Sequence, residues 1–192
     1  MFLHPLDPLS HSEQELIVAH ARKAWNLGPH HIFAMLQLQE PTKAELASAQ
    51  ALERSARVTI WNRKSAIVTE GVITTSGAVV SYQEIPGAKA PVTVIESAIA
   101  LHVVRSNQSV KDALARRGIS EIMDVHMETW PIGAQIPKHL DDGRRLVWTP
   151  MWHRPTPEAN FYAHPINGFH AIIDLDAEEL VALEDNSDVP IP

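Results

Sequence analysis

Chemistry in this chain would have to come from histidines, carboxylates and aromatic side chains, because its 192 residues include no cysteine. That removes disulfides, thiolate zinc sites, iron–sulfur clusters and cysteine nucleophiles together. The densest stretch is YAHPINGFHAIIDLDAEELVALEDN, Tyr162 to Asn186, with His164, His170 and six acidic residues. A zinc pair needs histidines at i, i+4 on a helix or at i, i+2 on a strand, so that both rings face one side. No two of the eleven histidines are two or four residues apart. His30 and His31 are adjacent and point to opposite faces of a strand, and His164 precedes Pro165 in what reads as an extended step. No metal site is therefore expected. Serine chemistry would want G-x-S-x-G, and phosphate binding would want clustered glycines. Neither pattern occurs among the eight scattered glycines. The adjacent pairs Asp141-Asp142 and Glu178-Glu179 read as solvated turns.

The aromatic residues stand out more. Trp130, Trp148 and Trp152 lie close together, followed by Met151, His153, Phe161 and Tyr162. Trp148 and Trp152 share strand parity, and Pro150 between them predicts an edge or a bulge. Such a cluster lines a pocket or an interface, or it fills a small core. If it is a pocket, Glu128, His126, His153 and Tyr162 are the acids, bases or donors at hand, since these groups tune toward neutrality when partly buried.

The elements that position them follow from caps and periodicity. Ser10 with Glu13, Thr42 with Glu45 and Thr93 with Glu96 are capping boxes, each opening a helix. The helices run to about Gly28, Ala51 and Ser106. Ser109 with Asp112 opens another, closing at Gly118 with Arg116 and Arg117 in its last turn, where cations suit the helix dipole. Strands are expected over 31–39, 56–62, 65–69, 78–83, 124–130, 145–153, 168–175 and 180–183. In the last pair Phe169, Ala171, Ile173 and Leu175 share one face. The short Pro- and Gly-bearing stretch Ile85–Pro91 is a linker. It divides the chain into domains at residues 1–86 and 92–192, each α+β with helices before an antiparallel sheet.

The net charge of −7 disfavours nucleic acid and anionic membranes as partners. No apolar run is long enough to span a bilayer. MFLHPLDPLS lacks the form of a signal peptide, so a cytoplasmic location is expected.

HPLDPLS at His4–Ser10, RRGI at Arg116–Ile119, GRRL at Gly143–Leu146 and above all YAHPINGFHAIIDLDAEELVALED resemble the copper amine oxidases, over nearly the whole chain. The resemblance implies two small cystatin-like α+β domains of the kind that precede a large β-sandwich domain in that family. It places copper, a topaquinone made from a tyrosine in N-Y-[D/E], an H-x-H ligand pair and an aspartate base in that larger domain. Here Tyr82 stands in S-Y-Q and Tyr162 in F-Y-A, and no H-x-H occurs. No cofactor is therefore expected in this chain. The resemblance also implies that Tyr162 matches an aromatic lining the substrate channel, with Glu128, Thr129 and Trp130 on the opposite wall. The expectation is a non-catalytic channel and interaction region, as a fragment or a split subunit. Its partners would be a catalytic amine-oxidase domain or subunit, a small-molecule ligand and a second copy of itself. The alternatives are a free-standing binding protein or cofactor-free cyclase or isomerase, and a structural dimer subunit with tryptophans in its interface.

Overall fold

The computed structural model describes residues 4–48, 52–133 and 136–186. The chain divides into two compact units, Met1–Pro91 and Val92–Pro192. Each packs helices on an antiparallel sheet, the expected α+β class.

In the first unit α1 (His11–Ala24) begins at the capping box, with Ser10 accepting from the Glu13 amide and Glu13 reaching back to the Ser10 amide. It buries Ile17 and Ala21 against Ala56, Val58, Ile60 and Ile73. The sheet is a meander in the order β1 (His31–Gln39), β2 (Ser55–Asn62), β3 (Ile67–Thr74) and β4 (Val79–Ile85). The central β2 is buried on both faces, with Trp61 meeting Val68 and Ala90 on the side away from α1. Helix α2 (Lys43–Ala47) carries the second capping box; the expected end at Ala51 lies outside the described residues. The β3 strand starts at Ile67 rather than Ser65, because residues 63–66 form the turn and Ala66 takes a positive φ of 56°.

In the second unit α3 (Val94–Ser106) and α4 (Gln108–Arg116) cover one face of a sheet ordered β5 (Val125–Met127), β7 (Leu146–His153), β8 (Pro165–Asp174), β9 (Glu179–Asp185). The two-residue β6 (Trp130–Pro131) also pairs with β7. Ala100, Val104, Val110, Ala113 and Leu114 pack on Val147, Met151, Phe169, Ala171, Ile173 and Leu175. Four strand residues expected to share a face do so.

Two local expectations are corrected and one is narrowed. Asn107, not Ser109, caps α4: its side chain accepts from the Ser109 and Val110 amides, while Asp112 takes a hydrogen bond from Gln108 Nε2 at 2.8 Å. The stretch 124–130 is not one strand, because a 3-10 turn ends at Asp124 and the chain leaves the ladder at Glu128 and Thr129. Of the two alternatives for Pro150, the bulge is the one found: it lies in the central β7, with a register shift between Pro150 and Trp152.

The motifs that carry the family resemblance form ties. Arg54 donates to the carbonyls of His4, Pro5, Asp7 and Pro8 and to Glu13, holding HPLDPLS on the first unit. Arg117 of RRGI pairs with Asp185 at 2.5 Å and donates to the Asn167 carbonyl at 3.0 Å, joining the end of α4 to β8 and β9. Arg145 of GRRL pairs with Glu96 at the start of α3.

Candidate functional site

The face of the second sheet turned away from α3 and α4 is lined by aromatic rings. Register explains the alignment: His126 on β5 stands opposite Trp152 on β7, Trp130 on β6 opposite Trp148, Pro150 opposite His170 on β8, and His170 opposite Glu184 on β9. Directly opposed residues point to the same side of a sheet. The rings therefore touch in series. Trp130 meets Trp148 edge to face at 5.2 Å, Trp148 meets His170 at 5.4 Å, and Trp152 meets Tyr162 at 5.4 Å. His126 stacks on Phe161 at 3.8 Å, and Arg154 stands over the same ring at 5.0 Å.

Glu128 is the charged centre of this surface. Glu128 is two residues from both His126 and Trp130, so strand alternation places its side chain on the ring face with theirs. Its carboxylate accepts the Tyr162 hydroxyl and the Trp130 indole N–H, the latter at 2.8 Å, and lies 3.3 Å from His126 Nε2. A carboxylate offers roughly four acceptor positions, so a ligand donor can still reach it. The Tyr162 hydroxyl, then the Trp130 indole and the His126 ring, hold the Glu128 carboxyl below its ordinary range. In turn, the hydrogen bond to Glu128 raises the Tyr162 phenol. The site is thus an anion set among rings, with Trp130 44% and Tyr162 55% exposed. Such a surface suits an ammonium group, which gains both the carboxylate and the negative faces of the rings.

The fold brings Glu128, His126, Trp130 and Tyr162 together; two other sequence candidates are placed elsewhere. Thr129 Oγ1 faces α3, 3.5 Å from the Ser97 carbonyl. His153 stands opposite Val125, on the other strand parity from Trp152, and its amide donates to the His164 carbonyl. His164 has φ −127° and ψ 60°, so the step into Pro165 is a turn rather than an extended segment. His170 and His164 do not form a pair: His170 Nε2 faces Glu184 at 3.5 Å. That contact was the part of the surface missed in the sequence, although the alternation of His170 and Ile172 marks one strand face. Among the described residues no group of three or more His, Asp or Glu side chains could hold a metal ion.

The family model for the copper amine oxidase N3 domain matches residues 95–192. This chain belongs to the copper amine oxidase family. A primary amine oxidase of Arthrobacter sp. (strain P1) is 31% identical over 191 residues, an alignment covering 98% of this chain and 29% of that protein. The peroxisomal copper-containing diamine oxidase 1 of Nicotiana tabacum is 26% identical, again across 98% of this chain and 29% of its own length. The chain therefore spans less than a third of these relatives. Among solved structures, a copper-containing benzylamine oxidase from Hansenula polymorpha matches with a TM-score of 0.72 and 18% identity over 95% of this chain and 30% of that one. At that identity the likeness concerns the fold. This member of the amine oxidase family thus corresponds to the N-terminal region of its relatives, and the aromatic face lies within the matched N3 domain.

Proposed function

We propose that this chain is a non-catalytic substrate-entry and interaction region of an amine oxidase, with Glu128, Trp130 and Tyr162 forming an amine-attracting wall. The observation that carries the reading is the Glu128 carboxylate, kept anionic by Tyr162 and Trp130 on an open aromatic face. Glu128 and Trp130, expected with Thr129 on the wall opposite Tyr162, share one surface with it through the Tyr162–Glu128 bond, and Thr129 supports that surface by tying the loop to α3. Redox chemistry then belongs to a catalytic amine-oxidase domain or subunit, and the working assembly is a homo-oligomer.

The rival reading, a cofactor-free enzyme, finds its best support in the 3.3 Å contact between His126 and Glu128. A general base works best with a pKa near the operating pH. Glu128 is shifted the other way, so it serves better as a fixed anion than as a proton acceptor. The test is a peroxide assay on the purified chain with copper and benzylamine. No hydrogen peroxide above the copper-only blank is expected; peroxide formed in proportion to protein would overturn the non-catalytic reading.

A further inference from the structure

The ring series continues past Glu128 to a second carboxylate. From Glu128 it passes through the Trp130 indole at 2.8 Å, the Trp130–Trp148 contact at 5.2 Å and the Trp148–His170 contact at 5.4 Å to the His170–Glu184 pair at 3.5 Å. At that far end lies a pocket of about 320 Å³ lined by Ile132, Pro137, Trp148, His170, Ile172 and Glu184. The Glu184 side chain is 41% exposed there, so its carboxylate is reachable. Trp130 on β6 and Glu184 on β9 are three strand steps apart, roughly 14 Å of sheet. Two carboxylates therefore terminate one largely aromatic track, with no lysine or arginine among the residues named along it.

We propose that Glu184 and the pocket beside it form a second anchor, and that the face selects linear ligands carrying two or more ammonium groups. One ammonium docks at Glu128 and the other at Glu184, with the intervening methylenes lying across Trp130 and Trp148. The inference rests on the amine-attracting reading of Glu128 and adds a length and charge-number preference to it. A ligand with one ammonium gains one anchor only; its tail covers the rings but leaves Glu184 in water. Glu184 stands on β9 and Glu128 on the short link between β5 and β6 of the same sheet, so their spacing is set by the sheet before the ligand arrives.

The test titrates the purified chain with spermine and with octylamine, following tryptophan fluorescence. In the wild type spermine binds more tightly than octylamine. In Glu184→Gln the spermine affinity falls by about fivefold, as expected for a partly exposed ion pair, while octylamine binding stays unchanged and so reports an intact fold. Glu128→Gln weakens both ligands. Glu45→Gln, an exposed carboxylate in the first unit, leaves both unchanged. The second anchor is overturned if spermine and octylamine bind equally, if Glu184→Gln leaves spermine unaffected, or if Glu45→Gln costs spermine as much as Glu184→Gln does. Failure of both ligands to bind, or their indifference to Glu128→Gln, would instead overturn the underlying amine reading.

Discussion

Arg145 and Glu96 meet as a two-pronged ion pair inside the second unit, Nε to Oε1 at 2.6 Å and the second guanidinium arm to Oε2 at 3.0 Å, with 4% of each side chain exposed. Glu96 is also the N3 residue of the α3 capping box, so one carboxylate satisfies Thr93 and Arg145 together. Arg54 and Glu13 repeat the device in the first unit, where Glu13 belongs to the α1 capping box. In each unit the arginine stands one residue before a central strand, β2 or β7. The two units share this tie as well as a sheet order.

Removing the Glu96 charge takes its anionic partner away from a buried guanidinium. Glu96→Gln should therefore destabilise the chain by about 3 kcal/mol or more. Urea unfolding followed by circular dichroism measures it; a loss no larger than that of an exposed ion pair would mean the tie contributes little.

The same carboxylates set an acid limit. Burial pushes Glu96 up, but hydrogen bonds from Arg145 and the Thr93 amide outweigh it and bring the carboxyl below its ordinary 4.5; Glu13 is lowered in the same way by Arg54 and Ser10. A group lowered in the folded state binds protons more readily when unfolded, so its contribution is present above about pH 4.5 and is lost as pH falls through the folded value. Stability should be nearly level above pH 5 and fall below 4.5, with a shallower acid slope in Glu96→Gln. Unfolding midpoints across an acid pH series provide the check.

Tyr162 should ionise above the ordinary tyrosine value of 10 because Glu128 holds its hydroxyl. Ultraviolet titration of wild type against Tyr162→Phe isolates its curve. Glu128→Gln should move that curve down toward 10, and an unmoved curve would separate the two residues in solution.

Gly71 lies beneath the stacked pair of Trp25 and Tyr82, whose rings are 4.7 Å apart. An added Cβ would come within 2.6 Å of the Trp25 ring and 2.9 Å of the Ser81 carbonyl. The backbone carbonyl cannot swing aside as a side chain can. Gly71→Ala should cost about 1–3 kcal/mol and change the near-ultraviolet signal of Trp25, read by thermal unfolding and near-ultraviolet circular dichroism.

What was legible in the sequence was local. Ser10 with Glu13, Thr42 with Glu45 and Thr93 with Glu96 declare themselves within four residues, and all three boxes form. The alternation of Phe169, Ala171, Ile173 and Leu175 named a core face correctly. Asn107 was missed as a cap because it serves two helices at once, closing α3 and opening α4. The break at Glu128 was hidden because Val125 to Met127 already alternate like a strand. The Tyr162–Glu128 bond joins residues 34 apart, and only the pairing of β5, β6 and β7 brings them together. Residue type and the family resemblance nominated both residues; the sheet register decided that they meet and that His153 does not join them.

The most direct measurement is a tryptophan-fluorescence titration of the purified chain with benzylamine, using benzyl alcohol as its uncharged counterpart, in wild type and in Glu128→Gln. A saturable change with benzylamine is expected in the wild type. It should weaken about tenfold in the variant, the order of a hydrogen bond to a charged group, with no saturation by the alcohol. Equal responses to amine and alcohol, or equal affinities in wild type and Glu128→Gln, would contradict an amine-attracting wall centred on Glu128.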